Sequence, residues 1–260
     1  MRLIFRRFFL LLVAALALAL AACGGDGDVE VRVIVDGTVL PSPTATETAS
    51  TSTPEPLPFM PTPPFSELDA DDLHGFAWPV AGACLPESDR LMPNSPREYR
   101  NGSHEGVDWY DLSSCARIPE GAAVGAMFDG VVVRADLEYQ GLTPRVLADL
   151  QAQTEECRCS DPDVLDVYRG QQVWIDHGNG IVSRYAHLGS IAEGMYVGAE
   201  VRQGQVIAGV GESGTPESVT EPGTEMHLHA EVRINESFLG DGLPPGEVRR
   251  LWERLFSAAE

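Results

Sequence analysis

Residues 172–185 read Gln172-Val173-Trp174-Ile175-Asp176-His177-Gly178-Asn179-Gly180-Ile181-Val182-Ser183-Arg184-Tyr185. Two runs rich in β-branched and aromatic side chains flank His177-Gly178-Asn179-Gly180, whose Asn-Gly pair favours a tight hairpin. The same pattern extends outward in both directions. Val124 to Val133 is small and apolar around an Asp129-Gly130 turn, while Val197-Gly198, Arg202-Gln203-Gly204-Gln205 and Gly209-Val210-Gly211 punctuate further short strands. Turns at such short intervals predict an all-β domain with an antiparallel β-sheet core, not alternating strands and helices.

Two segments break this rhythm. From Asp136 to Arg169 the chain holds Leu142-Thr143-Pro144-Arg145-Val146-Leu147-Ala148-Asp149-Leu150-Gln151, which can form a short helix, followed by two cysteines. An insertion this long (136–170) inside a compact domain carries its own structure or a function. At the C-terminus, Val248, Leu251, Trp252 and Leu255 recur at i, i+3, i+4 and i+7, an apolar stripe that predicts a short helix over 246–260 packed on the domain. The folded domain is expected over 65–245.

The N-terminus is not a fold element. Arg2, Arg6 and Arg7 precede an unbroken apolar run from Phe8 to Ala22, the two parts of a secretory signal, and the run is shorter than the roughly 20 residues of a membrane-spanning helix. It ends Leu20-Ala21-Ala22-Cys23-Gly24, which resembles the lipobox of bacterial lipoproteins, and that resemblance implies cleavage after residue 22 and a lipid on Cys23. Val29 to Val39 alternates in places like a strand with an Asp36-Gly37 turn. Pro41 to Pro64 is dominated by Pro, Ser and Thr and cannot bury enough surface to fold, so 23–64 is expected to be a tether. The expected location is extracytoplasmic, at the cell envelope, touching membrane only through the lipid.

Four cysteines follow the anchor, Cys84, Cys115, Cys157 and Cys159, and an even number in an exported chain suggests disulfides. A Cys157–Cys159 pair would close a very small ring, so the favoured connectivities join each of these to Cys84 or Cys115. A four-cysteine metal site competes less well, because the Cys-x-x-Cys spacing is absent. The formal net charge of −21 disfavours nucleic acid as a partner, since an acidic surface repels phosphate backbones.

Chemistry concentrates in the histidines. Of six, four fall in three short motifs: His104-Glu105-Gly106-Val107-Asp108, Tyr185-Ala186-His187-Leu188, and Met226-His227-Leu228-His229. On a strand His227 and His229 share one face about 7 Å apart, with Leu228 turned to the interior. A catalytic zinc takes three protein ligands from His, Asp or Glu and keeps a fourth position for water. One histidine of the pair together with His104 and Asp108 meets that need. His177, at the hairpin turn, and His74, before the core, are left out of the site.

At these residues the sequence resembles the lysostaphin-like, or LytM-type, peptidases of the M23 class, which carry H-x-G-x-D and a later H-x-H. The first motif is His104-Glu105-Gly106-Val107-Asp108 and the second His227-Leu228-His229, followed by Ala230-Glu231-Val232. The 173–180 and 185–188 stretches and Val201-Arg202-Gln203-Gly204-Gln205-Val206-Ile207 look like the family's core strands, so the likeness runs from Trp78 to about Val232. It implies a groove-bearing sheet of the duplicated-hybrid-motif type, a Zn2+ cofactor held by His104, Asp108 and His229, and proton transfer by His187 and His227. The implied activity is zinc-dependent hydrolysis of peptide bonds in cell-wall peptidoglycan.

The pattern departs from the family in two places. Glu221-Pro222-Gly223-Thr224-Glu225-Met226 replaces a glycine-proline approach, and Ala230 replaces a common aromatic, both of which bear on substrate preference. The 136–170 insertion is expected to add a wall to the groove. Other readings are a catalytically silent LytM-type regulator that binds and activates a cell-wall amidase, a wall-binding module, and a peptidase acting on secreted proteins. Presence of all three ligands and both auxiliary histidines separates the enzyme from the regulator.

Overall fold

In the computed structural model, residues 70–258 are described, and the 172–185 stretch forms the expected hairpin. The expected signal peptide 1–22, the lipidation site Cys23 and the tether 23–64 lie outside the described residues. Among the described residues no helix is long and apolar enough to cross a membrane.

Among the described residues twelve strands follow in order: β1 (Pro96–Arg97), β2 (Gly102–Ser103), β3 (Val107–Tyr110), β4 (Ala123–Gly125), β5 (Gly130–Ala135), β6 (Val173–Asp176), β7 (Ile181–Ala186), β8 (Leu188–Ile191), β9 (Glu200–Val201), β10 (Val206–Val210), β11 (His227–Ile234) and β12 (Ser237–Phe238). Four α-helices accompany them: α1 (Pro144–Cys157) and α2 (Pro162–Arg169) in the insertion, α3 (Glu217–Thr220), and α4 (Pro245–Leu255) at the C-terminus. All the strand pairings are antiparallel, as the turn-rich sequence requires. One sheet runs β12-β11-β7-β6-β5-β9, with β3 also paired to β11, and a smaller one runs β4-β10-β8.

The β6–β7 turn explains its glycines. Gly178, Asn179 and Gly180 all take positive φ, at 81°, 53° and 70°, a run open only to glycine and asparagine without steric cost. His177 closes the turn: its backbone N–H donates to Ile181 O, and its ring spans Asp129 O at 2.7 Å and Ser183 Oγ at 2.8 Å. It is a structural residue, remote from the other histidine motifs. His74 is exposed.

Strand alternation sorts side chains between core and groove. On β11 Leu228, Ala230 and Val232 are fully buried in the core, while His227, His229 and Glu231 take the opposite face. Ala230, expected to bear on substrate preference, therefore packs inward opposite Val107 and does not line the groove. The closest approach in this region explains Gly106, where a Cβ would overlap the Ala230 carbonyl. On α4, Val248, Leu251, Trp252 and Leu255 form the expected buried stripe, with Trp252 edge-on to Trp109 at 6.1 Å.

The insertion builds a small core of its own from Leu147, Leu150, Val164 and Tyr168. Each of its helices starts on a polar cap followed by proline: Thr143 accepts from Val146 N and Asp161 from Val164 N. The favoured cysteine connectivities are not formed. Cys84 bonds Cys115 and Cys157 bonds Cys159. Arg158 caps α1 in the left-handed region, φ 57°, which turns the chain back and brings the Cα atoms of Cys157 and Cys159 to 5.1 Å. Cys84 and Cys115 are drawn together elsewhere, by the Cys84 N–H bond to Ser114 O.

Candidate metal centre

The site is a product of register. β3 lies against β11 so that Asp108 is the cross-strand partner of His229 and Tyr110 that of His227. Residues two apart on each strand then share the groove face, where the Tyr110 and His227 rings stack at 4.4 Å. His104 enters from the segment before β3. His187 follows the last residue of β7, whose Ala186 pairs with His229. A left-handed backbone at His187, φ 56°, swings its ring to 4.6 Å from His227 and 5.7 Å from His229. Such a conformation is costly for a residue with a Cβ and is held here by its N–H bond to Arg169 O.

Three atoms converge. His104 Nε2 lies 2.9 Å from Asp108 Oδ1 and 2.9 Å from His229 Nδ1, and His229 Nδ1 lies 2.7 Å from the same carboxylate oxygen. The three residues are nearly sealed, at 2%, 5% and 6% exposure. They form a group of His and Asp side chains that can hold a metal ion.

The outer hydrogen bonds decide which atoms face inward. His104 Nδ1 donates to the Met92 carbonyl at 3.0 Å, and His229 Nε2 donates to Glu231 Oε1 at 3.1 Å. Each bond holds a proton on the far nitrogen and presents the lone pair of the near one. Two imidazole lone pairs and a carboxylate oxygen thus face one another, an assembly that needs a cation, or a proton, between its members. Two nitrogens and an oxygen suit the three-ligand set of a catalytic zinc.

Titration follows the same geometry. Burial pushes the His104 imidazole down to about 4, against the pull of Asp108, so it stays neutral and able to ligate. His229 moves the other way: burial opposes its charge, yet the bonds to Asp108 and Glu231 outweigh it and raise its pKa. Asp108 is equally buried and is held well below the carboxylate range by His104, His229 and His227. Burial, aided by His227 and His229, lowers His187 well below an ordinary histidine, leaving it a neutral proton acceptor.

Several residues of the site were not expected from the sequence. Arg97 donates to Asp108 Oδ2 at 2.6 Å and fixes the carboxylate's orientation. Glu231, fully buried, orients His229 and is itself surrounded by Arg169 at 2.7 Å, Arg233 at 3.2 Å and Arg184 at 3.6 Å. Glu105, between His104 and Gly106, pairs with Arg169 and Arg233. Tyr110 donates to Glu225 at 2.6 Å, and the Glu225 carbonyl accepts from His227 Nδ1 at 2.7 Å. The site opens into a groove of about 770 Å³, and Gln151, Leu165, Tyr168 and Arg169 bring the insertion into its lining.

The family model described as Peptidase family M23 matches residues 102–239, more than half of the chain and every residue of the metal group. The chain belongs to peptidase family M23. Solved structures similar to this M23 chain include a zinc-containing peptidase from Vibrio cholerae, at 23% identity and TM-score 0.38 over 64% of this chain and 40% of that one. The catalytic domain of lysostaphin from Staphylococcus simulans is 20% identical, TM-score 0.34, over 63% of this chain and 82% of that one. The catalytic domain of a prophage-encoded M23 protein from Enterococcus faecalis is 19% identical, TM-score 0.34, over 63% and 95%. The chain thus spans less than half the length of the Vibrio cholerae peptidase. No curated protein sequence matches it.

Proposed function

We propose that this M23 peptidase is a zinc-dependent endopeptidase that hydrolyses peptide bonds of bacterial peptidoglycan. The observation that carries the reading is the convergence of His104 Nε2, Asp108 Oδ1 and His229 Nδ1 beside two further imidazoles at the floor of an open groove. When bound, zinc polarises the scissile carbonyl and brings the pKa of a water close to neutrality. The chain's own residues supply orientation and proton transfer. His187 Nδ1 is committed to Ser213 O at 2.8 Å and His227 Nδ1 to Glu225 O, so both rings keep Nε2 for the reacting groups. An imidazole there can accept the proton of the attacking water and return it to the leaving amine. The two rings are close enough to share that role.

The test is metal content and turnover on the same preparation. One zinc per chain, with peptides released from purified peptidoglycan and release stopped by a chelator, is the expected result. Stoichiometric zinc without cleavage of any wall material would overturn the enzymatic reading in favour of a regulator. His187→Ala and His227→Ala are expected to keep the zinc and to lose about a hundredfold in kcat. Loss of zinc in either would instead make that residue a ligand.

The location belongs to the same proposal. A lipid on Cys23 and the tether 23–64 would hold the domain outside the cytoplasm, within reach of the wall. Cys23→Ala is then expected to move the protein from the membrane to the soluble fraction on cell fractionation. Unchanged membrane association would remove the lipid from the account.

A further inference from the structure

All 18 basic side chains of this protein, histidine aside, are arginines, set against 39 acids. In so acidic a chain an arginine readily finds a carboxylate, and most within the described residues lie at ion-pair distance from one, including Arg97, Arg134, Arg169, Arg184 and Arg233. Arg90 and Arg100 do not, and both line the groove that holds the metal group. Arg90 is exposed at its mouth. Arg100 is only 5% exposed, and its guanidinium donates to Ser103 O at 2.6 Å and to the side chain of Tyr99, with no carboxylate at ion-pair distance. A guanidinium carries five N–H donors, and a buried cation is normally paired.

An unpartnered buried hydroxyl faces the same space. The hydroxyl of Tyr168 is buried without a hydrogen-bond partner, and its ring meets Tyr99 edge-on at 5.3 Å. Tyr168 also lines the groove. A carboxylate is an acceptor-only group that can satisfy both a guanidinium fork and a phenol O–H.

The insertion holds this arrangement in place. Ser160, just beyond the Cys157–Cys159 bond, donates its hydroxyl to the Arg100 carbonyl, and Asn101 donates to Thr154 O at 3.0 Å. Gly102 leaves room for the guanidinium, since a Cβ there would overlap it. The acceptor on Ser103 adjoins His104, so the arginine is anchored next to a metal-ligand position.

We propose that Arg90, Arg100 and Tyr168 form a carboxylate-binding subsite beside the metal group, so that the preferred peptide carries a free carboxylate on that side of the scissile bond. The proposal rests on the peptidase reading for its role in catalysis, and its test does not. The carboxylate is either C-terminal or on a side chain.

The probes are tetrapeptide muropeptides released from peptidoglycan by a muramidase, in free-acid form and with the C-terminal or the side-chain carboxylate converted to amide. Their binding to the full-length protein, with metal removed by a chelator, is measured by calorimetry. Amidation of one of the two carboxylates is expected to weaken binding about tenfold or more, identifying the group that the subsite takes. Arg100→Gln and Arg90→Gln should each shrink that difference, while Arg202→Gln, an exposed arginine off the groove, should leave it intact. Equal binding of all forms by the unmodified protein, or a difference that survives in Arg90→Gln, would overturn the proposal. Should Arg100→Gln fail to fold by circular dichroism, the exposed Arg90 variant still decides it. A zinc-loaded protein that distinguishes the peptides but cleaves none would sink the peptidase reading alone.

Discussion

His229→Ala is expected to lose stoichiometric zinc and to reduce peptidoglycan cleavage to background, with the fold retained. Three features make this the largest functional effect. Among the described residues His229 supplies one of three converging atoms that could hold a metal, it sits directly opposite Asp108 across the β3–β11 pair, and its outer nitrogen is tied to Glu231. Loss of an outer partner alone typically costs ten- to a hundredfold in metal affinity, and removing the ligand itself costs more. What remains, His104 and Asp108, is a two-ligand site that would bind zinc weakly and cannot fix the geometry needed to polarise a carbonyl. Metal analysis after dialysis, alongside cleavage assayed with added zinc, checks both halves. Full zinc occupancy in the variant would show that the group at His104 and Asp108 is not the metal centre.

The same strand register shows why the clustered histidines and Asp108 were legible in the sequence and their supports were not. His227 and His229 announce themselves by spacing, because period-two alternation on a strand puts them on one face, whereas His104 and Asp108 were legible through the likeness of their motif to the family's H-x-G-x-D. The hairpin at 177–180 is equally local, since Gly178, Asn179 and Gly180 name their own backbone conformation. Arg97, Arg169 and Glu231 carry no such signal. They act through partners such as Asp108, 11 residues from Arg97, and Glu231, 62 from Arg169, and a distance of that kind is set by the pairing of elements, not by any motif. The cysteines fail for the same reason. Ring size along the chain argued against joining Cys157 to Cys159, while the left-handed cap at Arg158 settled their proximity in three dimensions.

The insertion shows the boundary from the other side. A short helix was expected over Leu142 to Gln151, and α1 spans Pro144–Cys157, but the insertion's contribution to the groove depends on contacts with the 98–103 segment. Tyr168 and Arg169, at the end of α2, reach different targets. Arg169 goes under the metal group to Glu231 and Glu105, while Tyr168 turns to the groove and Tyr99. One helix end therefore joins the Glu105 and Glu231 carboxylates to the groove lining, and the α2 boundary near Gly170 places both.

Glu231→Ala is expected to be the most destabilising single change at the site, by about 3–5 kcal/mol in the metal-free protein, on the scale of a buried ion pair that loses one partner. Glu231 is completely buried and accepts from Arg169 and Arg233 as well as His229, with Arg184 close by. Removing its charge leaves Arg169 and Arg233 to share Glu105 and, among the described residues, takes from Arg184 the one carboxylate at ion-pair distance. Arg184 is already strained electrostatically: burial lowers its pKa to about 10, with Arg233 and Arg169 adding to the fall and Glu231 opposing it. Its stacking on Trp174, at 3.8 Å, supplies dispersion and cation–π attraction but no counter-charge. Urea unfolding followed by tryptophan fluorescence measures the loss, and chelator in both samples keeps zinc binding out of the comparison. A double variant, Glu231→Ala with Arg184→Met, should recover part of it, because an apolar side chain of similar length removes an unpaired cation while still covering Trp174. A loss below about 1 kcal/mol in Glu231→Ala, or no recovery in the double variant, would mean that the arginines reach water and that the charge network orients His229 without holding the fold.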